Sequence, residues 1–211
     1  MKKFLLLFCA MSLALGIAAN ANAALIVDTG PPANANGAWL VGTNNGGTFD
    51  QWLAGQFTLV QGHDIYAMQG YLETNAAADQ ALVTIYSDNA GSPGIALISK
   101  TFMSQPLGFY GWQGTSGSAG HLDAGTYWIA FGEAQGSLFY GGMGTNNLGS
   151  PVMDAEAWAV DYAGWNLTGS SFGLGVYARI YDTAAVPLPG AFWLLGPGLV
   201  GLAAIRRKFK K

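Results

Sequence analysis

Between residues 24 and 183 apolar positions alternate with polar or small ones, a period of two that belongs to half-buried strands and not to helices. The clearest run is Ala81 to Ser87, which is β-branched and aromatic and is stopped by Asp88-Asn89-Ala90-Gly91 and Ser92-Pro93-Gly94. Ile95 to Met103 is its expected partner. Gly125 to Phe131 predicts a core strand with Tyr127, Ile129 and Phe131 on one face. Ile65 to Glu73 predicts another, with Tyr66, Met68 and Leu72 set against Ala67, Gln69 and Tyr71. Ala54 to Leu59, Glu156 to Tyr162 and Phe172 to Tyr181 complete the longer candidates. The last of these turns Leu174, Val176, Ala178 and Ile180 inward and Tyr177, Arg179 and Tyr181 outward. Trp39 to Val41, Phe109 to Trp112 and Ser137 to Tyr140 read as shorter pieces. Clusters of Gly, Pro, Asn and Ser make loops of Thr29 to Gly37, Gly42 to Thr48, Gly114 to Gly120 and Gly141 to Ser150, and Gly62-His63-Asp64 reads as a turn. The expectation is an all-β body of roughly eight to ten short strands, a two-sheet, jelly-roll-like β-sandwich.

The two ends break this pattern. Met1-Lys2-Lys3 is a basic lead, Phe4 to Ala19 an apolar run, and Ala21-Asn22-Ala23 a small-residue cleavage site that makes Ala24 the new N-terminus. Residues 1–23 therefore read as a signal helix that is removed; the apolar run is short for an uncleaved anchor. Cys9 lies within it behind the bulky Phe8, so lipidation there is not expected, and the single cysteine of the chain leaves with the signal. At the other end, residues 190–205 carry no charged residue and no Asn, Gln, Ser or Thr. Phe192, Trp193, Leu194, Leu195, Leu199 and Leu202 lie in this run, and Arg206, Arg207, Lys208, Lys210 and Lys211 close the chain. At about 1.5 Å of rise per residue a bilayer span needs roughly 17–25 residues. The stretch from Pro187 to Ile205 meets that, and the cations after it hold the C-terminus in the cytoplasm. A buried helix of the body is the alternative, but it would show a polar face.

The tail also carries a resemblance. Val186-Pro187-Leu188-Pro189, then Trp193-Leu194 and Gly198-Leu199-Val200-Gly201-Leu202, then Arg206-Arg207-Lys208, resembles the PEP-CTERM protein-sorting signal of Gram-negative bacteria. Leu188 stands where the motif that names the family has Glu; the Val-Pro-Leu-Pro form is similar to a known variant. The resemblance implies two processing partners, signal peptidase and an exosortase. It also implies inner-membrane anchoring with the body outside the cytoplasm, then removal of the tail and delivery to the cell surface or exopolysaccharide matrix. In this reading residues 184–189 are linker and sorting motif, 190–205 the transmembrane helix and 206–211 the cytoplasmic tail. Within the body, Val83-Thr84-Ile85-Tyr86-Ser87-Asp88 with Ser92-Pro93-Gly94, and Leu122-Asp123-Ala124-Gly125-Thr126-Tyr127-Trp128, are similar to bacterial surface modules of the choice-of-anchor type. That similarity implies fold and context and no catalytic residue.

Charge is segregated. The chain's formal net charge is −3, yet all twelve acidic residues lie from Asp28 to Asp182 beside only Lys100 and Arg179, so the body carries 2 − 12 = −10. An anionic body repels nucleic acid, which excludes a phosphate-backbone binder.

Candidate chemistry is sparse. His63 and His121 are the only histidines, and no sequence pattern supplies a base with an acid behind it and a nucleophile in front. No zinc pattern is present. Glu73, Glu133, Glu156 and the aspartates could supply a glycosidase pair, but nothing in their spacing selects one. Asp88-Asn89 or Asp161 could offer oxygen ligands to Ca2+, against the simpler reading of an Asx-type turn; no cofactor is expected. Aromatic residues are more suggestive, because sugar rings stack their C–H faces on them. Tyr110 and Trp112 border a Gly/Ser loop, and Trp165 sits in Gly164-Trp165-Asn166, which makes these three the candidate glycan-binding residues. Trp128 and Trp158 lie inside strands and are expected in the core. Asn166-Leu167-Thr168 matches a glycosylation sequon, a pattern common by chance. The expected protein is an exported, non-enzymatic surface or biofilm-matrix component with a structural or adhesive role that binds exopolysaccharide. The alternative is a secreted, surface-anchored hydrolase acting on polysaccharide.

Overall fold

The computed structural model describes residues 23–32, 38–44, 48–144, 153–161, 164–168 and 175–182, all within the unit Ala23–Thr183. Every regular element among them is a strand: β1 (Ala24–Asp28), β2 (Ala38–Thr43), β3 (Asp50–Leu59), β4 (His63–Thr74), β5 (Gln80–Asp88), β6 (Pro93–Met103), β7 (Tyr110–Thr115), β8 (Gly120–Leu122), β9 (Gly125–Glu133), β10 (Tyr140–Gly144), β11 (Glu156–Val160), β12 (Asn166–Leu167) and β13 (Ala178–Asp182). All neighbours pair antiparallel, in one 13-stranded sheet with the path β1-β13-β4-β10-β2-β3-β9-β5-β6. Off that path, β7 and β8 pair with β4, β11 with β3, and β12 with β11. The protein is all-β.

The alternation read from the sequence is what builds the longer strands. In β5 and β9, Val83 sits opposite Phe131 and Ile85 opposite Ile129, and all four side chains are fully buried. Each such side chain contributes about 1.5–3 kcal/mol of transfer free energy. Val176, Ala178 and Ile180 point inward as expected, and Thr58 is exposed between buried Phe57 and Leu59. The main core cluster joins these to Met68 and Leu72 of β4 and Met143 of β10. Strands far apart in the hydrogen-bonded path meet there: a Cβ on Gly70 of β4 would lie 2.9 Å from the Phe131 ring of β9. A second cluster (Trp52, Ala54, Trp128, Ala130, Ala157 and Ala159) occupies the other face of β3, β9 and β11.

Several expectations need correction. His63 and Asp64 are not a turn but the start of β4, because β8, an unexpected strand, pairs with them. Along β4 the inward phase changes. Ile65 and Met68 are both buried while Tyr66 is exposed, because Ile65 faces Asp182 and Ala67 faces Tyr181, leaving Tyr66 in a bulge. Gly141 to Gly144 are not loop but most of β10. A Cβ on Gly141 would lie 2.5 Å from the Phe139 ring and 2.6 Å from the Glu73 carbonyl oxygen, so glycine here serves close packing and not turning. β1 and β12 were also unanticipated, and β3 begins four residues before Ala54. The signal segment up to Asn22, the sorting motif, the membrane segment and the basic tail lie outside the described residues, as do Leu174 and residues 145–150.

Candidate functional site

The three aromatic residues singled out in the sequence fall in two places. Tyr110 and Trp112 lie on β7, opposite Glu73 and Tyr71 of β4. Tyr71 meets both rings edge-on, at 4.8 Å from Tyr110 and 5.2 Å from Trp112. The guanidinium of Arg179, on β13, stands 4.1 Å over the Trp112 ring and is held by Asp28 at 3.0 Å. This hydrogen bond from Arg179 keeps the Asp28 carboxyl below its usual range. The Tyr110 hydroxyl is buried with no hydrogen-bond partner, and burial pushes it up to about 12, helped by Tyr71 and Glu73. This group is therefore an aromatic strip already engaged internally: a cation covers Trp112, and Tyr110 keeps its polar end inside.

Trp165 lies elsewhere, just before β12, where its ring meets Tyr86 of β5 at 5.6 Å and 74°. Register explains why a hollow forms there. Residues paired across antiparallel strands share a face. Ala157 pairs with Ala54, Ala54 with Ala130, Ala130 with Thr84 and Thr84 with Ser99, a row of small side chains crossing five strands. The row on one side contains Gln56, Trp128 and Tyr86, which pair in the same way. On the other side Trp52 lies over Gly132, where any Cβ would overlap the indole. The low row between tall walls is a cleft of about 470 Å3, lined by Trp52, Tyr86, Trp165, Thr84, Ser99 and Glu133, with Leu82, Gln135 and Ala159. That volume lies within the roughly 300–1,000 Å3 of small-molecule sites.

Polar groups fix this geometry. Trp52 donates its indole N–H to Glu133 Oε1 at 3.4 Å, and Glu133 is only 2% exposed. Thr84 and Ser99 share a hydrogen bond of 3.0 Å. At the far wall Asp88 Oδ1 accepts from Trp128 Nε1 and Gln56 Nε2, both at 2.8 Å, while Oδ2 accepts from the Gly91 amide at 3.1 Å. The Trp128 bond, above all, holds the Asp88 carboxyl below its usual range. The carboxylate weighed as a Ca2+ ligand thus anchors a buried indole and closes the turn after β5. Asp161 Oδ1 accepts the Asp50 amide. Among the described residues no three His, Cys, Asp or Glu side chains gather to hold a metal.

Each histidine has a carboxylate. β4 sends His63 and Asp64 to opposite faces. His63 Nδ1 reaches Asp182 Oδ2 at 2.7 Å, and His121 Nδ1 reaches Asp64 Oδ1 at 2.7 Å, which with the nearby Asp123 raises the His121 pKa. Among the described residues no hydroxyl is hydrogen-bonded to either ring. Trp128 is fully buried and Trp158 is packed partly against the core. Sequence reasoning did not single out Tyr71, Tyr86 or Trp52 as site residues, and weighed Glu133 only among the carboxylates of a glycosidase pair. Outward alternation on β4 was the signal for Tyr71; the other three become neighbours only through strand register. No family model matches the chain, and no curated protein matches it.

Proposed function

We propose that this is an exported surface or matrix protein that binds exopolysaccharide and performs no catalysis, a structural or adhesive component displayed outside the cell. The cleft walled by Trp52, Tyr86 and Trp165 carries the reading, because it combines apolar ring faces with hydroxyl, amide and carboxyl groups as a saccharide requires. The Tyr71, Tyr110 and Trp112 strip supplies a second, weaker contact for a long polymer. A two-layer, jelly-roll-like sandwich accompanies this proposal, supported by the approach of β4 to β9 through Gly70 and Phe131. Export and anchoring rest on the two chain ends. They accord with a body that begins at Ala23, has Ala24 in its first strand and ends at Thr183, before the sorting motif.

The hydrolase alternative would release reducing sugar from the bound polymer; the binding reading predicts none. Display is tested by deleting residues 190–211 and fractionating cells. The truncated chain is expected in the medium, and its retention in the membrane fraction would refute the anchor.

A further inference from the structure

At β6, the last strand of the sheet path, apolar surface is exposed where the body carries no negative charge. Residues 89–122 contain Lys100 and no acidic residue, and all twelve carboxylates of the chain lie outside them. Ile95, Leu97, Met103, Leu107 and Phe109, five of the large apolar side chains exposed among the described residues, fall within that stretch. β6 carries the first three, and its connection to β7 carries the other two. Among the described strands β6 pairs with β5 alone, so no described strand takes the peptide groups of its outer edge.

We propose that this edge is the contact through which two copies of the chain join, β6 against β6 and antiparallel, as a closed two-fold dimer. A strand is the fitting partner because another backbone can take a row of peptide N–H and C=O groups while covering apolar side chains; a lipid surface presents no such row. Charge singles out a second copy. Two bodies of 2 − 12 = −10 repel each other, and through this stretch they can touch with no carboxylate buried on either side. A two-fold contact sets one patch against itself, so both sides are free of acid. The ladder with β5 is unbroken from Met103 to Ile98 and shifts beyond Ile98. Matching Ile98 to Met103 with itself puts Ile98 opposite Met103, Ser99 opposite Phe102 and Lys100 opposite Thr101 of the second copy, so the two ammonium groups do not face each other. Lys100 and the shifted end oppose slipped pairing, and a closed pair uses up both edges, which ends growth at two.

The test is sedimentation velocity of the full-length protein in a neutral detergent, at rising protein concentration, with hydrogen exchange on the same samples. A monomer–dimer equilibrium is expected, with the amides of Ile98 to Met103 exchanging more slowly as the dimer forms. Thr101→Asp places a carboxylate at an exposed position on the edge, and Leu107→Asp places one in the connection. Each is expected to weaken dimerisation by about tenfold or more. Leu107→Asp decides if Thr101→Asp does not fold. Val60→Asp adds the same charge at an exposed position just after β3 and is expected to leave the dimer unchanged. A protein that stays monomeric at every concentration overturns the proposal. So does a dimer that the folded edge variant leaves intact, one that Val60→Asp weakens equally, one without slower exchange in β6, or assembly beyond two copies.

Discussion

Asp88 satisfies the indole N–H of Trp128, the side-chain amide of Gln56 and the amide of Gly91, and Trp128 has no exposed surface. Removing the carboxylate strands a buried donor, whose cost is the desolvation of that group and not merely one exchanged hydrogen bond. Asp88→Ala is expected to cost about 2–3 kcal/mol in urea unfolding, and a loss below about 0.5 kcal/mol would contradict this role. Since the folded carboxyl titrates below its ordinary 3.8, its contribution is complete above that value and disappears as pH falls through the lowered one. Tyr110 has the opposite sign. Its phenol is held up to about 12 against an ordinary 10.0, because burial penalises the phenolate, so its titration leaves stability untouched below about pH 10 and lowers it as pH climbs towards 12. Tyr110→Phe is expected to flatten the alkaline fall in stability across that window and to leave the neutral protein at least as stable, since the hydroxyl has no partner; an unchanged alkaline profile would contradict it.

At the scale of elements, what could be read in advance depended on whether alternation was local. The faces of β5, β9 and β13 were legible because Val83 and Ile85, Ile129 and Phe131, and Ala178 and Ile180 repeat every second residue. β10 was not, because Gly141-Gly142-Met143-Gly144 has a turn's composition and only the ring of Phe139 shows why glycine must be there. Trp165 was accessible to sequence reasoning through its flanking Gly and Asn. Its cleft was not, since the row Ala54, Ala130, Thr84 exists only in one register, and a slip of one residue would send every side chain to the other face. Gly132 tests that construction. Gly132→Ala forces Trp52 from its seat and is expected to cost about 1–3 kcal/mol by overpacking and to narrow the cleft. Unchanged stability together with unchanged tryptophan fluorescence would show that Trp52 does not lie where the cleft requires it.

At the scale of the molecule, charge and hydrophobicity are divided among three parts: apolar ends flanked by cations, and a body of −10 from two basic and twelve acidic residues. The division was legible because it depends on composition alone. The candidate cleft was legible only in outline, because it is assembled from β3, β5, β6, β9 and β11 by long-range pairing. The most direct measurement is equilibrium co-sedimentation of the full-length protein with exopolysaccharide from the producing cells, comparing wild type, Trp165→Ala and Trp112→Ala, all checked for folding. The account predicts binding by wild type, about a tenfold loss for Trp165→Ala and a smaller loss for Trp112→Ala, whose ring Arg179 already covers. Binding that Trp165→Ala leaves unchanged would contradict it.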